Sequence, residues 1–259
     1  MKELEVAFKA ARAGVAVINK YIGREFKISK KGEINLVTEV DVKAQKAICD
    51  VLLKAFPKDS ILAEEGDLSK TAKSPRRWIV DPIDGTTNFA HGYPRFCVSI
   101  GFEMNGQMQC GVIHDPSMEE IFHAVRGKGA FLNKKKIKVS KISKLKEALL
   151  VTGFPYDLYD PATDNIPYFL HLLKKCQAIR RDGSAALNLA YVAAGRFDGF
   201  WELGLSPWDV AAGLLMIEEA GGKISDFEGK KAGIKNKNIV TGNPQIFKQL
   251  LSEVMKTPK

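Results

Sequence analysis

The sequence predicts a mixed α/β protein in which helices alternate with short strands. Apolar residues recur at spacings of three and four in residues 2–23, which predicts an amphipathic helix. Residues 96–131 instead alternate apolar and polar side chains around an Asn-Gly pair, which predicts an antiparallel meander with a tight hairpin turn. The helical spacing returns in residues 244–255. The chain is therefore expected to combine helices with sheets.

The first half of the chain carries a second helix and a further strand before the meander. Residues 27–37 are predicted as a polar loop, and Thr38 begins a helix that ends at Phe56. Residues 60–63 are predicted as a short strand. The polar stretch 66–77 is predicted as a mobile flap.

The second half begins with a predicted strand at residues 149–152. At 259 residues the chain is long enough to bury a full core, and we expect one domain with two closely packed halves, residues 1–147 and 148–259. The other elements predicted in the second half are helices over 162–176, 185–194 and 206–220, and strands over 197–202 and 239–241.

The charge of the chain is strongly basic. The formal net charge is +9, and lysines concentrate in residues 134–138, 141–146 and 230–237. A basic surface attracts polyanions. These segments lack the aromatic side chains that interleave with basic ones in nucleic-acid-binding platforms, so we interpret them as a solvated, lysine-rich surface.

The cysteines and histidines indicate neither disulfides nor zinc. The four cysteines are dispersed without a C-x-x-C pair, which is typical of buried free thiols in a reducing compartment. The four histidines lack the spacing of zinc sites. No apolar run reaches the length of about 18 residues that a membrane helix needs, and the charged N-terminus is unlike a signal peptide. We therefore expect a cytoplasmic protein with no membrane contact.

The most informative stretch is residues 78–89, with the sequence W-I-V-D-P-I-D-G-T-T-N-F. Its first three residues predict the end of a buried strand. Pro82 cannot donate to a strand ladder, so the chain is expected to leave the sheet there. Gly85 permits a tight turn, and Thr86 and Thr87 are good helix N-caps that predict a short helix.

Two carboxylates, those of Asp81 and Asp84, occur three positions apart in this stretch. At a separation of about 4 Å and an effective dielectric of about 20, two such charges repel by about 4 kcal/mol, so a positive ligand is needed to offset the repulsion. Carboxylate oxygens suit Mg²⁺, and the backbone N–H groups after Gly85 suit a phosphate. The combination predicts metal-assisted phosphoryl transfer.

Three further acids have plain structural interpretations. Asp41 and Asp209 each lie three residues after a Thr or Ser that begins a predicted helix, so both are predicted as helix-start caps. Glu64 follows the short strand at 60–63. It would lie beside Asp81 if the two strands were neighbours, which periodicity does not decide.

Taken together, the motifs resemble those of the inositol monophosphatase family, a branch of the Mg²⁺-dependent, lithium-sensitive phosphatases. The matches occur in the family's order and spacing over essentially the whole chain, and they are Leu36-Val37-Thr38 with Asp41, Glu64-Glu65, Asp81-Pro82-Ile83-Asp84-Gly85-Thr86-Thr87, Gly183-Ser184-Ala185-Ala186 and Trp208-Asp209-Val210-Ala211-Ala212-Gly213. The resemblance is greatest to the bacterial and archaeal inositol-1-monophosphatases, including the extragenic-suppressor type.

The resemblance implies a fold and a reaction. The fold is an α/β layered sandwich, α-β-α-β-α, with an antiparallel-rich sheet in each half. The reaction is hydrolysis of inositol 1-phosphate to inositol and phosphate by a metal-activated water, with two to three Mg²⁺ ions per active site and inhibition by Li⁺. A homodimer is also implied.

The resemblance further implies roles for individual residues. The catalytic residues would be Asp41, Glu64 and Thr86, of which Thr86 and Asp41 orient the attacking water. The metal ligands would be Glu64, Asp81 and the Ile83 carbonyl for one ion, Asp81, Asp84 and Asp209 for a second, and Glu64 near a weaker third. The substrate contacts would include Asp84, Gly85, Thr86, Arg181, Ser184, Ala185, Glu202 and Asp209, with Gly85 and Thr86 on the phosphate and Ala185 and Glu202 on the polyol hydroxyls.

Two enzymatic alternatives remain open. A haloacid-dehalogenase-type phosphatase uses a D-x-D-G-T aspartyl nucleophile, but here two residues separate the acids, which would misplace the acid/base Asp. Fructose-1,6-bisphosphatase activity occurs within the same family, and Arg180 and Arg181 could hold a second phosphate through bidentate contacts, unless both are ordinary surface residues. Hydrolysis of NADP⁺ or of nucleotide 3′-phosphates has less support from the motifs.

A binding role is the third alternative. Some extragenic-suppressor-type relatives bind transcription machinery, and the basic surface would permit contact with RNA or an RNA-bound complex. The complete set of acids argues against a purely structural role, because buried unpaired acids cost stability. A second, moonlighting function is compatible with the sequence.

Overall fold

Helices and strands alternate through the computed structural model, which describes residues 1–30, 36–66, 74–155 and 163–257. The helices in these ranges are α1 (Lys2–Ile18), α2 (Glu39–Ala55), α3 (Thr86–Ala90), α4 (Ile166–Leu173), α5 (Ala185–Ala193), α6 (Pro207–Glu219) and α7 (Pro244–Lys256). The strands are β1 (Ile28–Lys30), β2 (Leu36–Thr38), β3 (Ser60–Ala63), β4 (Arg76–Asp84), β5 (Cys97–Met104), β6 (Gln107–Asp115), β7 (Glu120–Val125), β8 (Gly129–Leu132), β9 (Lys135–Ile137), β10 (Leu149–Thr152), β11 (Ala178–Arg180), β12 (Gly199–Leu203), β13 (Lys223–Ser225) and β14 (Asn238–Gly242).

The larger sheet contains β3 to β9 in sequence order. β3 is parallel to β4, and each later neighbour is antiparallel. The hairpin between β5 and β6 turns at Asn105 and Gly106, whose φ angles are 51° and 75°, as an Asn-Gly turn requires. The predicted antiparallel meander is therefore confirmed.

β4 does not leave the sheet at Pro82, and that prediction was wrong. Asp81 still pairs with Ser99, and Asp84 pairs with Cys97 after a shift of register. A β-bulge leaves a residue out of the ladder, so the missing N–H of Pro82 costs no hydrogen bond here. Both aspartates consequently remain on the rigid end of a central strand.

The second sheet has the strand order β11-β10-β12-β14-β13. β10 runs parallel to β11 and β12, whereas β14 is antiparallel to β12 and β13. β11 and β13 were not predicted, because an alternation over three residues is too short to recognise. The two sheets lie within residues 60–137 and 149–242, and a division of the chain near residue 147 stays a prediction.

The helices form three layers around the two sheets. α1 and α2 pack on one face of the larger sheet, α5 and α6 lie between the sheets, and α4 and α7 pack on the second sheet through a separate apolar core. This arrangement confirms the expected layered α/β fold.

α6 lies close to the larger sheet because two glycines face it. Gly101 and Gly111 are cross-strand partners on β5 and β6. A Cβ at Gly111 would lie 2.8 Å from the Cα of Ala212 on α6, a separation that packed atoms do not tolerate. The helix that carries Asp209 is thus fixed against the sheet that carries Asp81.

Two predicted helix boundaries are wrong. α1 ends at Ile18 rather than at Gly23, and Ile22, whose spacing extended the predicted helix, is 51% exposed. α4 is shorter than the predicted 162–176, since Pro167 is confined to the first turn of a helix.

Parts of the predicted polar loop 27–37 and of the predicted flap 66–77 fall outside the described residues. β1 begins within that loop and pairs with β2.

No helix in the described ranges combines the length and the apolar character needed to cross a membrane.

Candidate active site

A pocket of about 330 Å³ lies where the ends of β3, β4 and β12 meet the first turns of α3, α5 and α6. The residues that line it include Glu64, Asp81, Ile83, Asp84, Gly85, Thr86, Arg181, Ser184, Ala185, Glu202 and Asp209. These are all the candidate residues from the sequence except Asp41, which contacts Thr86 from behind the pocket wall. The fold therefore brings the candidates together, while their individual roles stay predictions.

Glu64 and Asp81 are neighbours because β3 and β4 are parallel and adjacent. Ala63 pairs with Val80 in the register of these strands, and the Glu64 N–H donates to the Val80 carbonyl at 3.2 Å. The next residue of each strand is an acid, so the two carboxylates enter the pocket side by side. The topology supplies the adjacency that periodicity left open.

Asp84 joins the two halves of the chain. Its Oδ2 accepts hydrogen bonds from the Ser184 hydroxyl and from the Ala186 N–H, both at 2.6 Å. Burial raises the pKa of Asp84 to about 6, and the hydrogen bonds from Ser184 and Ala186 oppose that rise. The first turn of α5 is thereby held against the end of β4.

Asp209 caps its own helix and also faces the pocket. The Ser206 N–H donates to Asp209 Oδ2 at 2.7 Å, so the structural interpretation of this acid is correct. The same hydrogen bond holds the Asp209 carboxylate at the N-terminus of α6. Capping and a role in the pocket are therefore compatible.

The acids of the pocket resist ionisation together. Burial raises the pKa of Asp81 well above its usual value, and the charges of Glu64, Asp84 and Asp209 raise it further. Burial also raises the pKa of Asp209 well above its usual value, and the charges of Asp84 and Glu64 add to that effect. The pocket is thus short of positive charge.

Thr86 and Asp41 form a buried hydrogen-bonded pair. The Thr86 hydroxyl lies 2.9 Å from Asp41 Oδ1 and 2.9 Å from the Ile83 carbonyl oxygen, and it donates its one proton to either of them. The Thr38 N–H donates to Asp41 Oδ2 at 2.7 Å, which completes the predicted capping box of α2. Burial raises the pKa of Asp41 despite the hydrogen bonds from Thr38.

Gly85 fixes the turn between β4 and α3. Its φ is 99°, a left-handed conformation that favours glycine, and a Cβ there would lie 2.7 Å from the Arg95 carbonyl oxygen. Gly85 is therefore the N-cap of α3, and Thr86 and Thr87 lie inside the helix, contrary to the prediction that they cap it. Because α3 has five residues, individual N–H groups rather than a long helix would face a phosphate.

Glu202 and Arg181 lie on the opposite wall. Burial raises the pKa of Glu202 well above its usual value, the charges of Asp209 and Asp84 add to it, and the Arg181 guanidinium opposes it. Within the described residues, Glu202 Oε2 is buried without a hydrogen-bond partner. The Arg181 guanidinium is 5.9 Å from the centre of the Phe154 ring. This wall therefore offers an unsatisfied acceptor beside a cation.

Asn88 is a pocket residue to which sequence reasoning gave no role. Its Nδ2 donates to the carbonyl oxygens of Arg95 at 2.6 Å and of Asp182 at 2.7 Å. It therefore ties the turn after β4 to the segment that precedes α5. Asn88 belongs to the 78–89 motif, and its proximity in sequence to Asp81 and Asp84 could have identified it as a pocket residue.

Gly153 and Asn188 also line the pocket and were missed. Asn188 lies four residues after Ser184, on the same face of α5, so helical spacing could have identified it. Nothing in the sequence around Gly153 indicates its position, because it follows a strand whose neighbours are distant in the chain.

The oxygen-rich lining suits a hard divalent cation. Asp81, Asp84 and Asp209 each direct one carboxylate oxygen at protein donors, and each carboxylate has a second oxygen. Among the described residues, no three acidic, histidine or cysteine side chains already form a group that could hold an ion. The carboxylates would therefore have to turn toward a cation on binding, and the attraction of the cation would offset their mutual repulsion.

The chain is similar over its whole length to known proteins. The model of the inositol monophosphatase family matches residues 2–258. Nus factor SuhB of Pseudomonas aeruginosa is 42% identical over 259 residues, with 97% of this chain and 95% of that protein covered. Inositol-1-monophosphatase of Synechocystis sp. is 40% identical over 257 residues, with coverages of 99% and 90%. The crystal structure of extragenic suppressor protein suhB from Bartonella henselae has a TM-score of 0.94 and 41% identity, and all of both chains is covered.

Proposed function

Because the chain belongs to the inositol monophosphatase family, we propose that it hydrolyses inositol 1-phosphate with two to three Mg²⁺ ions held by the carboxylates of the pocket. The observation that carries the proposal is the convergence of Glu64, Asp81, Asp84 and Asp209 on one pocket. Burial raises the pKa values of the three aspartates, and repulsion from neighbouring carboxylates raises those of Asp81 and Asp209 further. A phosphate dianion would be repelled by these acids, so bound cations are what would let it enter.

We assign the metal ligands as the family motifs suggest. Glu64, Asp81 and the Ile83 carbonyl would hold one ion, Asp81, Asp84 and Asp209 a second, and Glu64 would lie near a weaker third. Bound Mg²⁺ would lower the pKa of a water and neutralise charge on the leaving oxygen.

The residues of the chain would orient the water and the phosphate. The Thr86 hydroxyl donates to Asp41 or to the Ile83 carbonyl, which leaves its oxygen free to accept a hydrogen bond from a water in the pocket and so to orient that water. The N–H groups of Gly85 and Thr86 would hold the phosphate. The water oxygen would form a bond to phosphorus as the ester P–O bond breaks. One proton of the water would remain on the phosphate, and the proton that the water releases would balance the one that the leaving alcohol oxygen takes up, so that the products are the alcohol and hydrogen phosphate.

The second wall of the pocket would bind the alcohol part of the substrate. Glu202 Oε2 is buried without a partner in the described part of the chain, and a sugar or inositol hydroxyl would supply the missing donor. Ala185 and Ser184 lie beside it at the start of α5. We therefore assign polyol contact to this wall.

Glu202→Gln should change substrate preference more than chemistry. Bound Mg²⁺ would favour the ionised form of Glu202 by offsetting the charges of Asp84 and Asp209. Loss of this charged acceptor is then expected to lower kcat/KM for inositol 1-phosphate by about 10- to 100-fold, since a hydrogen bond to a charged group contributes about 1.5–3 kcal/mol. Activity toward 4-nitrophenyl phosphate, which has no such hydroxyl, should fall much less. The measurement is kcat/KM on both esters, and an equal loss on both would contradict the assignment.

The substrate is tested by measuring phosphate release from inositol 1-phosphate and fructose 1,6-bisphosphate side by side, with Mg²⁺, with EDTA and with Li⁺. We expect release from inositol 1-phosphate that requires Mg²⁺ and is inhibited by Li⁺. Comparable release from both esters would assign a dual-specificity enzyme. Arg181 lines the pocket and Arg180 is exposed on β11, so one arginine rather than a pair would meet a second phosphate. No release from either ester would refute the proposal.

A second candidate function is binding to transcription machinery. It is favoured by the relatives that carry the name Nus factor SuhB and by the exposed lysines of residues 134–138, 141–146 and 230–237. The test is binding of single-stranded RNA and of RNA polymerase at increasing salt by the Asp84→Asn variant. Salt-sensitive binding without phosphatase activity would separate this function from catalysis, and no binding would remove it.

We further propose that the enzyme is a cytoplasmic homodimer. Cys49, Cys97 and Cys110 are buried free thiols, which suits a reducing compartment. The apolar side chains of Ile166 and Leu170 on α4 are 46% and 56% exposed and would suit a second copy of the chain. Light scattering of the purified protein measures the assembly, and a monomer mass would refute the dimer.

A further inference from the structure

The Glu202 carboxylate lies directly against Gly153. Gly153 follows β10, Glu202 lies on β12, and these parallel strands pair Thr152 with Trp201. A Cβ at Gly153 would lie 2.5 Å from Glu202 Oε2 and closer still to Oε1 and Cδ, whereas Cβ atoms essentially never approach other atoms within 3.0 Å. Glu202 therefore occupies its place only because residue 153 has no side chain.

The backbone at Gly153 does not itself require glycine. Its φ lies outside the left-handed region, and the three atoms nearest to a Cβ there all belong to the Glu202 carboxylate. An alanine would therefore meet no backbone strain at this position. The closest steric constraint on residue 153 therefore comes from the Glu202 carboxylate.

Gly153 cannot move aside, because a buried ring of hydrogen bonds holds it. Asn165 Nδ2 donates to the Gly153 carbonyl at 2.6 Å and to Thr152 Oγ1 at 2.8 Å. Trp201 Nε1 donates to Asn165 Oδ1 at 2.7 Å, and the Thr152 hydroxyl donates to the Trp201 carbonyl at 2.5 Å. Thr152, Asn165 and Trp201 are all fully buried, so a collision at residue 153 would be relieved by the flexible end of Glu202.

We propose that Gly153 is a specificity-determining position. The absence of a side chain at residue 153 lets the Glu202 carboxylate lie against the wall of the pocket, and the position of that carboxylate decides which alcohol group the pocket accepts. A side chain at 153 would displace that carboxylate within the pocket. The volume and the hydrogen-bond geometry available to a polyol would both be reduced. The inference rests on the proposed function, because it deepens the role of the wall that would contact the polyol.

The experiment compares Gly153→Ala with wild type on inositol 1-phosphate and on 4-nitrophenyl phosphate, with Mg²⁺ present. We expect kcat/KM for inositol 1-phosphate to fall by about 10- to 100-fold, mainly through KM, as for the loss of a charged hydrogen bond. Activity on 4-nitrophenyl phosphate should fall at most about threefold. Gly233→Ala is the matched control, because a Cβ there meets no atom within 4 Å and its φ is not left-handed.

A double-mutant cycle with Glu202→Ala tests whether Gly153 acts through Glu202. Once the carboxylate is removed, Gly153→Ala should have no further effect on either ester, so the two substitutions should be strongly non-additive. Additive effects, an equal fall on both esters, or loss of folding in Gly153→Ala would each overturn the inference.

A crystal structure of Gly153→Ala tests the geometry independently of any activity. A displaced Glu202 carboxylate over an unchanged backbone supports the inference, and an unmoved carboxylate overturns it. If wild type hydrolysed neither ester, the proposed function would fail, while the crystal structure would still decide the contact between residues 153 and 202.

Discussion

Replacement of Asp81 with asparagine is expected to lower the rate of phosphate release by about 1,000-fold or more, because bound cations supply several kcal/mol of transition-state stabilisation and each 1.36 kcal/mol is a factor of ten. Asp81 lies on the rigid end of β4 between Glu64 and Asp84, and we assign it to both ions. Asparagine keeps the shape and one carbonyl oxygen but removes the charge that attracts the cations. The measurement is kcat with inositol 1-phosphate and saturating Mg²⁺.

The same substitution should not destabilise the metal-free protein. Burial and neighbouring charges raise the pKa of Asp81 well above its usual value, so its ionised form is unfavourable in the fold at neutral pH. Asparagine removes that unfavourable charge, and the free energy of unfolding of metal-free Asp81→Asn should equal or exceed that of wild type. Loss of activity would then not be a consequence of unfolding.

Asp115→Asn is the matched control for this prediction. Asp115 is fully buried on the same sheet and accepts hydrogen bonds from the Ser117 and Met118 N–H groups, at 2.8 and 3.1 Å, outside the pocket. The amide oxygen of asparagine can still accept both hydrogen bonds, so the replacement should leave kcat within a few-fold of wild type. Near-wild-type turnover by Asp81→Asn, or an equal loss in Asp115→Asn, would contradict the metal assignment.

In the metal-free protein the acids of the pocket are expected to lower the melting temperature as the pH rises from 6 to 8, while His114 and His123, whose pKa values burial lowers, act in the opposite direction. Burial raises the pKa of Asp84 to about 6, and burial with mutual repulsion raises those of Asp81, Asp209 and Glu202 well above their usual values. Unfolded carboxyls titrate near pH 4. At these acids the folded protein therefore binds more protons than the unfolded chain above about pH 4, and their contribution to the free energy of unfolding falls as the pH rises.

Mg²⁺ should remove most of this pH dependence. At about 100 times its dissociation constant, a ligand of the folded state stabilises by about 2.7 kcal/mol, which for a chain of this size raises the melting temperature by about 5–10 °C. The gain should be larger at pH 8 than at pH 6, because protons compete with the cation for the same oxygens. Thermal melts with and without Mg²⁺ at both pH values measure it.

Glu39→Gln provides the control for pH. A hydrogen bond from Lys43 lowers the pKa of Glu39, so Glu39 is ionised in folded and unfolded chains alike between pH 6 and 8. Its replacement should leave the slope of stability against pH unchanged, whereas Asp81→Asn should remove the negative contribution of Asp81 to that slope. A slope that is the same in Asp81→Asn and in wild type would contradict the account, because Asp81 would then not be a group that loses stability as the pH rises.

Much of the fold was predictable because its signals are local. The meander, α2, α5 and the start of α6 follow from alternation, helical spacing and capping residues. Pro82 misled the prediction, since a bulge accommodates a proline that an ordinary central strand would exclude. The short strands β11 and β13 depend on neighbours elsewhere in the chain rather than on their own sequence.

The residues of the candidate site were predictable only where they belong to recognisable sequence motifs. Spacing alone identified Asp41 and Asp209 as helix caps, which they are, and the resemblance supplied their place in a pocket. Gly153 carried no signal, because its constraint comes from Glu202, which is distant in sequence and adjacent only through the pairing of β10 with β12. Contacts of this kind require the folded arrangement.

The most direct test is the initial rate of phosphate release from inositol 1-phosphate by protein that has been stripped of metal with EDTA and dialysed, before and after Mg²⁺ is restored. We predict no release above background without the cation and a saturable return of activity as Mg²⁺ is added. Undiminished release from the stripped protein would contradict the metal-dependent reaction, because the acids of the pocket would then accept a phosphate without any cation to compensate their charge.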